Sequence, residues 1–313
     1  MTPDAGRLMH DTEAWFVISN PVSGQGRARR AWQRLERTLR SAGIPLEVAV
    51  TTGPGTAEEL TDRAIGAGQR RILVAGGDGS AHEVVNGIMG AGLADTRDVT
   101  LAVAPLGTGN DWARSLGMPG DPAALARVLA TGRTILHDVG VADFPDGANQ
   151  PRRWFINVAG AGYDADVTRR LPAQVPSRLA YLRAALAGLA HYTSPRFRIT
   201  SGDEVIADRL LLAFVANGQY CGNRMHVAPT ARLDDGLLEL VAVKDLRLGQ
   251  VLTKLPKLYR GTIIGDPAVY HLRSDHFRIE SSPSVGVQAD GQAIGSTPLE
   301  CSVIARSLNV VVP

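Results

Sequence analysis

Residues Arg71–Ser80 read RILVAGGDGS: a strand-length run, three glycines in four positions at 76–79, then a helical pattern over Ser80–Met89. Glycines placed there let backbone amides turn inward. The helix start adds positive potential, so the loop is built to hold an anion. The same unit recurs on either side. Ala14–Ser19 leads through Asn20-Pro21-Val22-Ser23-Gly24-Gln25-Gly26 into a helical pattern over Arg27–Ala42. Leu46–Thr51 precedes another helical pattern at Ala57–Gly68, and Thr100–Ala104 runs into Pro105–Asp111, PLGTGND. Strand alternating with helix predicts a parallel sheet covered on both faces, with ligands at the carboxyl ends of its strands.

Beyond about Asp138 the texture changes. Strand-like runs dominate, at Trp154–Ala159, Arg196–Thr200, Leu210–Ala216, Leu237–Val243, Phe277–Glu280, Val285–Ala289, Leu299–Ala305 and Leu308–Val312. Helical stretches are few, chiefly Ser177–His191 and Leu248–Tyr259. The expectation is an N-terminal Rossmann-like parallel α/β domain over 12–138 followed by an antiparallel β-sandwich domain over 139–306.

Each loop of the first domain carries its own chemistry. In GGDGS the central Asp78 would repel a bare phosphate. It makes sense if it binds the phosphates' magnesium or takes a proton from an attacking hydroxyl. In PLGTGND a hydroxyl, an amide and a carboxylate sit among glycines, suited to ribose or phosphate. NPVSGQG alone reads equally well as a plain strand–helix turn. Three such loops at one end of one sheet read together as a nucleotide site.

Composition narrows the partners. The chain has 313 residues, 44% of them hydrophobic, and a net charge of +2, which excludes a disordered chain and argues against a nucleic-acid binder. Its only lysines are Lys244, Lys254 and Lys257. A P-loop or a lysine-dependent protein-kinase site therefore cannot lie in the first 243 residues. Two cysteines, Cys221 and Cys301, are too few for a disulfide framework and fit a reduced, cytoplasmic protein. No signal peptide and no membrane-spanning run are evident. Other motifs fail on inspection. Gly160–Ala165 fits GxGxxA, but Val167–Gly202 has no acid to hold a ribose. His82-Glu83 lacks a second zinc-binding histidine, and no GxSxG elbow occurs. Adjacent carboxylates in Ala231–Leu237 are compatible with a hard cation or with an ordinary turn. Asp290-Gly291 reads as a hairpin turn.

NPVSGQG, GGDGS and PLGTGND, in that order and spacing, resemble the catalytic domain of diacylglycerol kinases and sphingosine kinases. Gly160–Val167 (GAGYDADV), Asn217–Gly222 (NGQYCG), Ala228–Leu238 (APTARLDDGLL) and Asp290–Gln292 (DGQ) resemble the bacterial lipid kinases of that group. The resemblance implies the two-domain fold shared with NAD kinases, with residues 307–313 returning to complete the first sheet. It implies an ATP-dependent kinase of a lipid hydroxyl, of the diacylglycerol type, working with Mg²⁺. A kinase of a soluble hydroxyl compound such as NAD is the rival enzyme, and a nucleotide-binding regulator without chemistry is the rival class.

Carried residue by residue, the nucleotide would meet Asn20, Ser23, Gly24, Thr51, Gly76, Gly77, Asp78, Gly79, Ser80, Glu83, Gly107, Thr108 and Asn110. Arg232, Asp235 and Leu237 match the family's structural magnesium site, Arg and Leu through main-chain carbonyls. Ser80 stands where the family usually has Thr and keeps the hydroxyl. Gln292 stands where bacterial relatives carry a proton-accepting Glu, and an amide accepts no proton. Asp290 or Asp78 would then serve as base, or transfer proceeds with little base help through its loose transition state, or activity is lost.

The acid-free window Val167–Gly202 holds six arginines, among them Arg169 and Arg170, and a leucine stripe over Ser177–His191. It is expected to dock on an anionic membrane surface, making the protein cytoplasmic and peripherally membrane-associated. A homodimer stays open.

Overall fold

The computed structural model describes residues 14–145, 152–170, 187–189 and 191–313. Four parallel strands open the chain: β1 (Trp15–Ser19), β2 (Leu46–Val50), β3 (Arg71–Gly76) and β4 (Thr100–Pro105), in spatial order β2-β1-β3-β4. Helices α1 (Ala28–Ser41), α2 (Thr56–Gly66) and α3 (Asp78–Gly90) connect them. β1 and β3 are almost entirely apolar and buried, as strands covered on both faces must be. In α1 the buried Trp32, Leu35 and Leu39 recur at steps of three and four, so one stripe faces the sheet while the arginines stay in water. The short α4 (Asp111–Ser115) and α5 (Pro122–Thr131) follow β4.

β5 (Thr134–Asp143) runs straight through position 138, so no break in the backbone marks a domain boundary there. It pairs antiparallel with β17 (Leu299–Val311), whose far end lies parallel to β4 through Asn309–Thr100 and Val310–Leu101. Two strands were expected where β17 is one. A bulge between Ile304 and Leu308, with Arg306 at φ 53°, bends it to serve both halves of the molecule.

The remaining strands are antiparallel. β7 (Val158–Gly162), β9 (Glu204–Ala216), β12 (Leu238–Lys244), β13 (Val269–Ser274), β15 (Gly286–Ala289) and β16 (Gln292–Ser296) form one layer. β8 (Arg196–Ser201) and β14 (His276–Ser282) link β9 to β17. Between the layers lies a second core that includes Phe155, Phe197, Ile199, Phe277, Ile279 and Leu299. The run expected as one strand at 154–159 is split into β6 (Arg153–Phe155) and β7. The amides of Ile156, Asn157 and Val158 turn to a carboxylate instead of to a neighbouring strand. Helix α6 (Tyr163–Arg170) follows β7, a small hairpin joins β10 (Tyr220–Cys221) to β11 (Met225–His226), and α7 (Leu248–Arg260) lies after β12. The expected helix at 177–191 falls outside the described residues except 187–189 and 191, as do the side chains of Arg169 and Arg170.

Candidate active site

The three glycine loops meet backbone to backbone. A Cβ on Gly24 would stand 2.8 Å from the Leu106 carbonyl oxygen, and one on Gly77 would stand 3.1 Å from Gly107 Cα. Only glycine allows that approach. Polar side chains pin the loops: Asn20 Nδ2 donates to Ser80 Oγ at 3.0 Å, and Asn20 Oδ1 accepts the Val22 amide at 3.2 Å. Asn110, at φ 53°, accepts the Gly107 amide at 2.9 Å and donates back to the Gly107 carbonyl at 3.0 Å. Ser23 and Gly24 lie in the 3-10 turn after β1, and the exposed Thr108 lies at the edge of the cradle. Gly79 and Ser80 open α3, whose first turn points its amides at the same place.

Thr51 is buried at the end of β2 and donates its amide to the Ser19 carbonyl. Glu83 accepts the amides of Gly55 and Ala57 at 3.0 and 3.1 Å. Its carboxylate is therefore engaged in capping α2, and its contribution to a ligand runs through the loop it holds.

Asp78 stands between this cradle and the second domain. Its Oδ1 accepts the Trp112 amide at 3.0 Å, tying α3 to α4. Burial pushes its carboxyl up to about 6, helped by the neighbouring charge of Asp111. Asp111, itself buried, accepts the amides of Asn223 and Arg224, both at 2.8 Å. A cavity of about 190 Å³ opens beyond, lined by Asp78, Asp111, Asp164 and Asp290 and walled by Phe214 and Met225. Burial likewise raises Asp164 to about 6, with Gln288 Nε2 donating to it at 3.0 Å.

Asp290, the other candidate base, is held by a ring of donors. Its Oδ1 accepts the amides of Asn157 and Val158, and its Oδ2 accepts the amide of Ile156, each at 3.0 Å. His82 Nδ1 adds a fourth contact at 3.0 Å, with both side chains 1% exposed. A carboxylate carries about four acceptor sites, and three of them take backbone amides. Asp290, at φ 48°, holds the β6–β7 break and the hairpin turn together. Gln292 does face the cradle, its Nε2 donating to the Gly79 carbonyl at 3.4 Å.

Asp78, His82 and Asn86 occupy successive turns of α3, and each bonds across to another element. Asn86 brackets Trp154, accepting its amide at 3.1 Å and donating to its carbonyl at 2.9 Å. Sequence reasoning passed over His82 as a failed zinc motif and Asp164 as part of a failed dinucleotide fingerprint. Their i, i+4 placement on the helix that starts with the phosphate loop was the available signal for His82 and Asn86.

The expected structural magnesium turn fits its ion poorly. Asp235 Oδ2 lies 2.5 Å from an Arg273 nitrogen, and Oδ1 accepts the Leu237 amide at 3.1 Å, so a cation would have to displace a guanidinium. Arg232 extends to Asp234 at 3.7 Å. Among the described residues no three His, Cys, Asp or Glu side chains are grouped to hold a metal, and no helix is long and apolar enough to cross a membrane.

Known proteins match this architecture from end to end. Residues 14–142 match the diacylglycerol kinase catalytic domain, and residues 157–312 match the YegS C-terminal NAD kinase beta sandwich-like domain. A diacylglycerol kinase of Mycobacterium tuberculosis is 29% identical over 99% of this chain and 98% of its own. A protein of Chromohalobacter salexigens named "probable lipid kinase YegS-like" is 29% identical over 97% of this chain and 94% of its own. The crystal structure of a diacylglycerol kinase from Bacillus anthracis superposes with a TM-score of 0.71 at 23% identity, covering 96% of this chain and 97% of that one. Yeast NADH kinase shares the fold more distantly, with a TM-score of 0.55 at 13% identity over 97% of this chain and 84% of that one. The glycine cradle, the strand that returns to the first sheet and the two contiguous domain matches agree: the chain is a kinase of the bacterial diacylglycerol kinase family.

Proposed function

We propose that this kinase transfers the γ-phosphate of ATP to the hydroxyl of a diacylglycerol-like lipid. The observation that carries the reading is the position of Asp78, with the phosphate cradle on one side and the cavity shared with the second domain on the other. Asn20, Ser80, the Gly76–Gly79 amides and the Gly107–Asn110 loop bind and orient the phosphates. Bound with the nucleotide, Mg²⁺ would supply charge neutralisation that a lysine-free domain lacks, and Asp111, which lines the same cavity, is the carboxylate that would hold it. The acceptor oxygen forms a bond to the γ-phosphorus, the bond to the bridging oxygen breaks, and ADP leaves with that electron pair. The hydroxyl proton passes to Asp78, whose carboxyl near 6 suits a base working at neutral pH. Gln292 therefore does not deprive the site of a proton acceptor.

At about 190 Å³ the cavity is smaller than the roughly 300–1,000 Å³ of a drug-sized site, so it takes the hydroxyl-bearing end of the acceptor. Its mixed wall, carboxylates facing Phe214 and Met225, suits a glyceryl group leading to acyl chains. The test is to incubate the pure protein with labelled ATP, Mg²⁺ and detergent-dispersed diacylglycerol. Label entering the organic phase supports the reading. Label found only in a phosphorylated water-soluble acceptor overturns it.

A further inference from the structure

Resting on the lipid-kinase reading, we propose that Asp164 binds the acceptor by taking a hydrogen bond from a second hydroxyl, so that the site favours a glyceryl group with a free hydroxyl beside the reacting one. One oxygen of this carboxylate is already committed, since Oδ2 accepts Gln288 Nε2 at 3.0 Å. The other, Oδ1, is buried and has no hydrogen-bond partner among the described residues. Asp164 lines the cavity that Asp78 also lines, so the unpaired oxygen and the proposed base face one ligand space. A buried acceptor left unpaired is destabilising, and a donor carried by the ligand would offset that cost.

The turn around Asp164 is built to keep that oxygen in place. It is the stretch Gly160–Ala165, whose GxGxxA spacing lacks the acid a dinucleotide needs. A Cβ on Gly160 would collide with Asp164 Oδ2 and stand 2.9 Å from Gln288 Nε2, so glycine there makes room for the carboxylate. Gly162, at φ 107°, takes a backbone conformation that side chains rarely adopt and turns β7 into α6. Gln288 is 2% exposed and fixed from behind: its Oε1 accepts the Gly291 amide at 2.8 Å, which leaves Nε2 as the end facing Asp164. The two glycines therefore serve a carboxylate, and no pyrophosphate is needed to account for them.

The chemistry of the wall selects what binds there. Burial pushes the Asp164 carboxyl up to about 6 while the amides of Gln288 and Ala165 hold it down, so at neutral pH it is mostly ionised and accepts. Asn157, 4% exposed, adds a second buried oxygen of the same cavity, Oδ1, that has no partner among the described residues. Asp78, Asp111, Asp164 and Asp290 all line the space, and the described lining residues include no Lys, Arg or His. A phosphate-bearing headgroup would meet these carboxylates without a counter-charge, whereas hydroxyls bring donors. If the oxygen beside the reacting hydroxyl were esterified, it would have only lone pairs to set against Asp164 Oδ1. A glyceryl group with two free hydroxyls, one toward Asp78 and one toward Asp164, satisfies both carboxylates.

The experiment gives the full chain labelled ATP, Mg²⁺ and one of two single-chain acceptors that differ by one hydroxyl, monooctanoylglycerol and the monooctanoate of propane-1,3-diol. Wild type is expected to show a kcat/KM about 10–100-fold higher for the glyceryl ester, the range for a hydrogen bond to a charged group. In Asp164→Asn the remaining oxygen stays on Gln288 Nε2 and an NH₂ faces the cavity. That group accepts nothing, so the preference should shrink to about threefold or less. A merely structural role would lower both acceptors together and leave the ratio unchanged, which overturns the assignment. So does a wild-type ratio near one, a result that needs no variant to fold. Dioctanoylglycerol, run beside them, separates the two readings. Label entering it while the single-chain esters react equally sinks the second-hydroxyl contact alone, and label in none of the three lipids refutes the lipid-kinase reading on which that contact rests.

Discussion

Replacing Asp78 by Asn should destroy turnover and yet raise the melting temperature. The carboxyl is pushed from 3.8 to about 6, first by burial and then by the Asp111 charge, so its ionised form is disfavoured in the folded state. Two units correspond to about 2–3 kcal/mol at neutral pH. Asn keeps an oxygen for the Trp112 amide, now 3.0 Å from Oδ1, and removes the charge. The sign follows from linkage: the folded pKa lies above the unfolded one, so the folded state binds more protons between about pH 4 and 6, and stability is lost as pH rises through that window. At roughly 2.1 cal/mol/K per residue, relieving the penalty lifts the melting point of a chain this size by about 3–5 °C at pH 7.5. At pH 4.5 about a third of that gain remains, because wild type is itself protonated when folded. Turnover should fall about 10²–10⁴-fold. Calorimetry of nucleotide-free protein at both pH values, paired with a labelled-phosphate assay, reads all of this. A variant melting at or below wild type at pH 7.5, a gain that ignores pH, or more than half the turnover retained would refute the reasoning.

Asp290→Asn should act oppositely, turning an NH₂ toward at least one of the three backbone amides that now find an acceptor. A loss of about 2–4 kcal/mol in denaturant unfolding is expected, and an unchanged midpoint would remove its anchoring role. Gln292→Glu sets a new carboxylate where Nε2 now meets the Gly79 carbonyl, next to Asp78. If Asp78 is the base, the acid limb of the kcat/KM profile, expected near pH 6 in wild type, should move upward, and an unmoved limb would separate this turn from Asp78. Asp235→Ala loses a half-exposed pairing with Arg273 and should cost about 1 kcal/mol or less, equally with and without chelator. A melting point that chelator lowers only in wild type would assign an ion to the turn.

The first domain was legible because each of its signals is local. A buried strand is written as a short apolar run, a phosphate loop as clustered glycines, and a helix as a three-to-four stripe, all within a dozen residues of each other. RILVAGGDGS already implied that backbone would be exposed at a helix start. Strand boundaries in the second domain were less legible, since β6 and β7 separate only because Asp290, over a hundred residues later, draws three amides out of line. β13 went unseen because its residues are half-buried and lack a clear alternation, its identity resting on pairing with β12. The acids at positions 78 and 290 could be named from sequence, but their surroundings could not. Those surroundings are the donors around each carboxylate and the water removed from it. Those donors come from α4 for Asp78, and for Asp290 from the β6–β7 junction and from α3. Hydrogen bonding and desolvation are properties of what folding brings together across the chain, so the environment of each carboxylate was decided only by the tertiary structure.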